Sequence, residues 1–478
     1  MRKENSTFAL FFGNRGFFPA ALIAEAREEL PRVLAEMGHQ TLILDEAATR
    51  YGAVETVREG EIYANFLQQH RGQFDGIILC LPNFGDETGA VAALKDANVP
   101  ILIQAYPDDM DKMSPALRRD AFCGKLSITD VFRQYGVKFT TLKPHVVKPT
   151  SAAFKANIDY FDRVCRVVKG LRNMVVGAIG ARTTPFKTVR IDELALQKHG
   201  ITVETLDMSD VIGRVKGMNG SSAYQEKVAL LRNTASWDGV PDGAFDNLAK
   251  LSVVLDEIID EYQMDAIAIR CWLELQKQLG ISPCVVLGNL NDQGVGAACE
   301  VDLGSAIALQ ALNLASGEAA TCLDWNNNYE DIDDKCILFH CGPVPNSLMA
   351  QPGRITDHDI LITSVGEGLS FGCNVGRIAQ FDFTFGNVMT EDGTVRWYLG
   401  QGEFTDETIP PEFFGCAGVA HVENLQDVLL HVMHTGHRHH VNLTPGIYVD
   451  PLKEALHYYL GHEVVLPQWE KTWEDKRR

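Results

Sequence analysis

The chain has 478 residues, more than one hydrophobic core ordinarily holds, so two to four domains are expected. Hydrophobic residues make up 46% and charged residues 22%, which argues against both a disordered and a membrane protein. With 43 Lys plus Arg against 63 Asp plus Glu, the net charge of -20 opposes a phosphate backbone and excludes nucleic acid as an expected partner.

The first apolar run, Phe8 to Phe12, is cut by Gly13, Asn14 and Arg15 and is too short for a signal-peptide core, so no export is expected. No later run reaches the roughly 20 apolar residues of a spanning helix, and a cytoplasmic location without membrane contact follows as the expectation. The eleven cysteines lack a C-x-x-C pair and many sit in apolar runs, which reads as reduced, buried small hydrophobes and disfavours a structural zinc site.

From Thr7 onward short apolar runs alternate with amphipathic ones: TFALFF, AALIAEAREELPRVLAEMG, TLILD, FDGIILCL, PILIQAY. Strands alternating with helices predict a parallel sheet covered on both faces. In the first helix Glu25, Arg27, Glu28 and Glu29 lie opposite Leu22, Ile23, Leu30 and Leu34, with Gly38 placed to stop it. The rhythm restarts near residue 170 with NMVVGAIGA, ITVETLDMS and MDAIAIRCW, then PCVVLGNL as a strand, VDLGSAIALQALNLASG as a helix and ATCLDW as a strand. Beyond about residue 345 the pattern becomes one of hairpins, with a turn at Glu391-Asp392-Gly393. The expected fold is α/β: two doubly wound, flavodoxin-like domains, 1–170 and 171–345, and a β-rich domain, 346–478. The charged tail WEDKRR is expected to fray.

Three features carry chemistry. Glu300, in ACEVD, lies where a glycine-rich stretch meets an apolar helix, and Asp324, in TCLDWNNNY, lies where a strand gives way to a loop. Two carboxylates at element ends suit a hard divalent cation, although two surface acids would look the same. Six of the 14 histidines fall between His421 and His440, and one of them could complete a Glu/Asp/His set. For His431, His434 and His437 an ordinary structural role is the better reading.

The run DAIAIRCWLELQKQLGISPCVVLGNLNDQGVGAACEVD, residues 265 to 302, resembles the stretch before the metal-binding glutamate in the L-fucose isomerase and L-arabinose isomerase superfamily. On that resemblance Glu300 and Asp324 are expected to serve both as metal ligands and as the catalytic acid/base pair. His440, in HHVNLTPG, is the third expected ligand, with His439 the weaker match. His340, in ILFHCGPVPN, is placed like a histidine of arabinose isomerases; Arg15, Trp272, His340 and His439 are expected around the sugar. The resemblance also implies Mn²⁺ (with Mg²⁺ or Co²⁺ as alternatives), a homo-oligomer, trimer or hexamer, with the active site between subunits, and aldose–ketose isomerisation of a monosaccharide. Fucose, arabinose, a related deoxy sugar or an anionic hexose such as a sulfosugar all remain open. A sugar-binding protein without catalysis is the alternative, since fold alone does not exclude it. A nucleotide-dependent oxidoreductase is disfavoured because VGAIGARTTPF lacks a complete G-x-G-x-x-G fingerprint.

Overall fold

The computed structural model describes residues 5–470, and the tail WEDKRR lies outside the described residues. The chain forms two compact units that divide at residues 169 and 170. In the first, four parallel strands are ordered Thr41–Ile43, Phe8–Phe12, Gly76–Leu81, Ile101–Ala105. Phe8 to Phe12 are all buried, as a strand covered on both faces requires. The helix Ala20–Glu36 buries Leu22, Ile23, Ala26, Leu30, Val33 and Leu34 along one stripe, and Gly38 follows it at a φ of 88°.

The second unit holds a parallel sheet ordered Thr202–Leu206, Val175–Ile179, Ala266–Ile269, Gly296–Ala298. Both parallel sheets have four strands, and beside the first, isolated parallel bridges join Gly13 to Val54 and Leu102 to Thr140, the latter where a flavodoxin-like order would place a fifth strand. The second unit also holds a ten-stranded mixed sheet. Its long hairpin, Asp382–Glu391 with Thr394–Phe404, turns at Asp392 and Gly393, both at positive φ (52° and 75°), as a two-residue hairpin loop demands.

Two elements differ from the sequence reading. PCVVLGNL is helical, Cys284–Asp292, and every residue from Cys284 to Asn291 is buried. A short apolar run is ambiguous between strand and helix by periodicity alone. Here Asn291 uses its side-chain amide to bond both the N–H and the C=O of Ala297, at 2.9 Å each, so the helix abuts the edge of the last parallel strand. The strand Thr321–Asn328, read with the central parallel sheet, belongs instead to the mixed sheet, between Lys335–His340 and His440–Pro445. The helix Leu303–Ser316 packs against both sheets, which accounts for its near-continuous burial and absence of a polar face. No helix among the described residues is long and apolar enough to cross a membrane.

His462 gives this unit an acid-sensitive point. It is buried, and its Nδ1 accepts a hydrogen bond from Trp397 Nε1 at 3.0 Å, so the ring is neutral with its proton on Nε2. Burial, then the neighbouring His199, lowers its pKa from the usual 6.5 to about 3. The unfolded chain therefore binds a proton that the native state refuses. The stabilisation is complete above about pH 6.5 and is lost as pH falls toward 3, at roughly 1.4 kcal/mol per pH unit. His462→Gln, which can still accept from Trp397, should flatten the pH dependence of urea unfolding between pH 6 and 4 by about that slope; an unchanged slope would remove His462 from the account.

Candidate functional site

Ligands of doubly wound sheets gather at the carboxyl ends of the strands. In the second unit Trp272 follows Ala266–Ile269, and Glu300 follows Gly296–Ala298. Glu300 and Val301 have φ values of 57° and 59°, a conformation that L residues rarely adopt and that is retained where a side chain must be aimed. The chain then enters the helix Leu303–Ser316, capped by Asp302, whose Oδ1 accepts from Ser305 N at 3.1 Å.

The mixed sheet supplies the other half. Asp324 and His440 are direct cross-strand partners in an antiparallel pair, so their side chains emerge side by side on one face. His340 ends the neighbouring strand Lys335–His340. His440 Nε2 lies 3.6 Å from Glu300 Oε2 and 3.5 Å from Asp324 Oδ1. His340 Nε2 lies 4.0 Å from Glu300 Oε2, and His439 Nε2 lies 3.7 Å from Asp324 Oδ1. Two sets, Glu300 with His340 and His440, and Asp324 with His439 and His440, each bring their ligand atoms within 4.8 Å of one another.

Glu300 Oε2, Asp324 Oδ1 and His340 Nε2 are buried without a hydrogen-bond partner. Buried polar atoms are nearly always satisfied, and an unpaired one costs roughly 1–3 kcal/mol. Glu300 Oε2 and Asp324 Oδ1 each lie within 4 Å of His440 Nε2, and His340 Nε2 lies beside Glu300, so these unpaired atoms surround His440 and mark a site shaped for something else. The Glu300 and Asp324 oxygens, each within 4 Å of His440 Nε2, make with that nitrogen a donor set that fits a hard divalent cation such as Mn²⁺ or Mg²⁺.

Hydrogen bonds assign the two buried histidines different roles. His440 Nδ1 lies 2.7 Å from Asp302 Oδ2, an acceptor, so Nδ1 carries the proton and the Nε2 lone pair faces Glu300 and Asp324. His340 Nδ1 receives the backbone N–H of Cys341 at 2.9 Å, so its proton is on Nε2 and that atom is a donor. His440 is thus set to ligate, and His340 to donate toward Glu300 or a bound oxygen.

The electrostatics follow from burial and neighbours. Burial raises the pKa of Glu300, against the pull of His340 and His440. Burial acts the same way on Asp302, but the Arg438 guanidinium at 3.0 Å and the bond to His440 outweigh it and hold this carboxyl well below the usual carboxylate range. Burial pulls His440 down, and the Asp302 bond more than offsets it. For His439 burial, then the adjacent His440, lowers the pKa.

Of the remaining expected residues, Trp272 packs edge-on against Phe186 at 5.9 Å, and Phe186 reaches His439 at 5.5 Å, so the loop after Val175–Ile179 joins the wall of the site. Arg15 belongs to the other compact unit, where its guanidinium pairs with Glu87, donates through Nε to Gly85 O at 2.7 Å and lies 4.5 Å over the Phe84 ring. His431 and His437 are buried against Tyr398. Sequence reasoning passed over Asp302, Arg438 and Phe186. The acid two places after Glu300, with Ser305 three residues on, carried a helix-cap signal that marks Asp302.

Comparison with known proteins points to one family. Residues 9–172 match the fucose/sulfoquinovose isomerase N-terminal domain, and residues 338–467 match the L-fucose isomerase C-terminal domain. The chain is 24% identical over 396 residues to a sulfoquinovose isomerase of Alkalicoccus urumqiensis, an alignment covering 81% of this chain and 85% of that one. It is 23% identical over 415 residues to a sulfoquinovose isomerase of Priestia aryabhattai, covering 84% and 87% respectively. Both ends of the chain thus match one family in the expected order, with Glu300 and Asp324 between them: the protein belongs to the L-fucose isomerase-like superfamily, a family of aldose–ketose isomerases.

Proposed function

We propose that this chain interconverts the aldose and ketose forms of an anionic hexose of the sulfosugar type. It does so with a divalent cation, Mn²⁺ or else Mg²⁺ or Co²⁺, held by Glu300, Asp324 and His440. The observation that carries the reading is that buried, unpartnered oxygens of Glu300 and Asp324 both lie within 4 Å of His440 Nε2. The sulfosugar assignment draws on the relatives, which are sulfoquinovose isomerases.

When bound, the cation supplies Lewis-acid polarisation of the sugar carbonyl and hydroxyl oxygens. The chain's own residues do the rest. Isomerisation takes a proton from C2 of the open-chain aldose and returns it to C1, through an enediol, while the O2 hydroxyl proton passes to O1. Glu300 is suited to hold that proton, because burial raises its affinity for one. Asp324, on the mixed sheet, is the second carboxylate of the relay. His340 Nε2–H can donate to a sugar oxygen, while His439, Trp272 and Phe186 line the approach and displace water. Arg15, from a neighbouring subunit of a homo-oligomer, is the proposed contact for the sulfonate, through a guanidinium fork.

A binding protein without catalysis is the less economical reading. Sugar hydroxyls can be held by satisfied neutral groups, whereas burying two unpartnered carboxylates costs stability that only chemistry or a cation offsets. The test combines metal removal with a substrate panel. Exhaustive chelation should abolish ketose formation, and Mn²⁺ should restore it better than Ca²⁺, which favours a larger and looser oxygen cage. The 6-sulfo aldose should be turned over with a higher kcat/KM than its neutral counterparts. Full activity in verified metal-free protein would sink the mechanism, and equal rates on neutral and anionic sugars would sink the substrate class.

A further inference from the structure

We propose that Cys284 and Cys341 are a peroxide-oxidisable thiol pair whose disulfide displaces His340 and silences the site. Cys284 opens the helix Cys284–Asp292 and is buried; Cys341 directly follows His340 and is partly exposed. The rest of the described cysteines are buried except the exposed Cys123. The Sγ atoms of Cys284 and Cys341 are 3.7 Å apart. A disulfide has an S–S length of about 2.05 Å, so side-chain rotation has only a short gap to close. Two further buried thiols adjoin the pair: Cys373, 3.9 Å from Cys284, and Cys299, in side-chain contact with both Cys284 and Cys341.

The position of the pair gives oxidation a consequence. Cys341 Sγ lies 3.2 Å from His340 Nδ1, and the Cys341 N–H fixes the tautomer of that ring. Drawing Sγ toward Cys284 removes one neighbour of the imidazole and tilts the other, moving Nε2 relative to Glu300.

The chemistry balances with a peroxide as oxidant. The Cys341 thiol attacks hydrogen peroxide, the O–O bond breaks, and sulfenic acid and one water form, the sulfur being oxidised by two electrons. The Cys284 thiol then displaces water from that sulfenic acid, and the S–S bond forms. A dithiol reverses the change by exchange.

The test uses the full chain loaded with Mn²⁺. After hydrogen peroxide and alkylation of the remaining thiols, a non-reducing peptide map should contain a Cys284–Cys341 cross-link. Turnover should fall about 10²-fold, the cost of misplacing a catalytic group by about 1 Å, and dithiothreitol should reverse both. In the double variant Cys284→Ala with Cys299→Ala, which removes both thiols in contact with Cys341, that thiol has no resolving partner and should pass to sulfinic acid, with a loss that dithiothreitol does not reverse. Free Cys284 and Cys341 in the inactivated wild type, or a cross-link of either one to Cys299 or Cys373 in place of theirs, would overturn the pair. A Cys284–Cys341 cross-link with undiminished turnover would overturn the coupling to His340. The coupling rests on the proposed isomerase reading; if that reading fails, the reduced enzyme is inactive before any peroxide is added, and the peptide map still decides the pair.

Discussion

Glu300→Gln and Asp324→Asn are each expected to lower turnover by at least roughly 10² to 10⁴-fold, the range that a positioned acid or base contributes. Each substitution keeps the shape of the side chain and removes its negative charge, so loss of metal adds to loss of proton transfer. The stability of the metal-free protein should move the other way. Glu300 Oε2 and Asp324 Oδ1 are buried without partners, and the two carboxylates repel each other across the site. Replacing either by a neutral amide should leave the metal-free chain as stable as the wild type or more stable by about 1–3 kcal/mol. A residue kept for packing alone would give destabilisation with turnover retained. Turnover, bound metal by elemental analysis and urea unfolding of the metal-free protein separate the two accounts; near-normal turnover with normal metal content would reassign the residue.

Much of the architecture was legible because it rests on local patterns. The strand Phe8–Phe12, the amphipathic helix Ala20–Glu36 and the hairpin turning at Asp392 and Gly393 each announce themselves within a dozen residues. The reading slipped where an apolar run had no period to read. Cys284–Asp292 is buried along its length, so neither a period of 2 nor one of 3.6 appears in its sequence. The strand Thr321–Asn328 was recognised as a strand, but its sheet was decided by pairing with His440–Pro445, far along the chain.

The site divides in the same way. Glu300 and Asp324 were found by resemblance and by their places at element ends, and the structure brings both to His440. What sequence could not supply is the orientation of the imidazoles. His340 and His440 are alike as letters, and only the partner of each Nδ1, a backbone N–H in one case and a carboxylate in the other, distinguishes donor from ligand. The odd cysteines were read as inert packing. For most of them burial agrees, but Cys284 and Cys341 are neighbours only because a helix start and a strand end meet beside Glu300.

Asp302 should prove the most costly residue to remove among those that do not face the site. It is fully buried and joins Arg438 at 3.0 Å, His440 at 2.7 Å, and both the N–H and the hydroxyl of Ser305, at 3.1 and 2.7 Å. The space is made for this arrangement: Gly304 carries no side chain, and a Cβ there would collide with Arg438 Nη1. Asp302→Ala leaves the buried guanidinium uncompensated, a loss of about 3–5 kcal/mol, and removes the helix cap, about 1 kcal/mol more. Asp302→Asn keeps the cap and an acceptor for His440 but not the charge. It should fold with a smaller penalty while His440, now a less basic ligand, loses roughly 10- to 100-fold in metal affinity. The sign with pH is also fixed. Because the folded-state pKa of Asp302 is depressed, its contribution is present above the unfolded carboxylate pKa of about 3.9 and is lost as pH falls below it, so the wild-type advantage over Asp302→Asn should shrink in that window. Urea unfolding at neutral and acid pH, with metal titration of both variants, measures each part. If Asp302→Asn bound metal as tightly as the wild type, the Asp302–His440 bond would be structural only, and the orientation of His440 would have to be set by its strand alone.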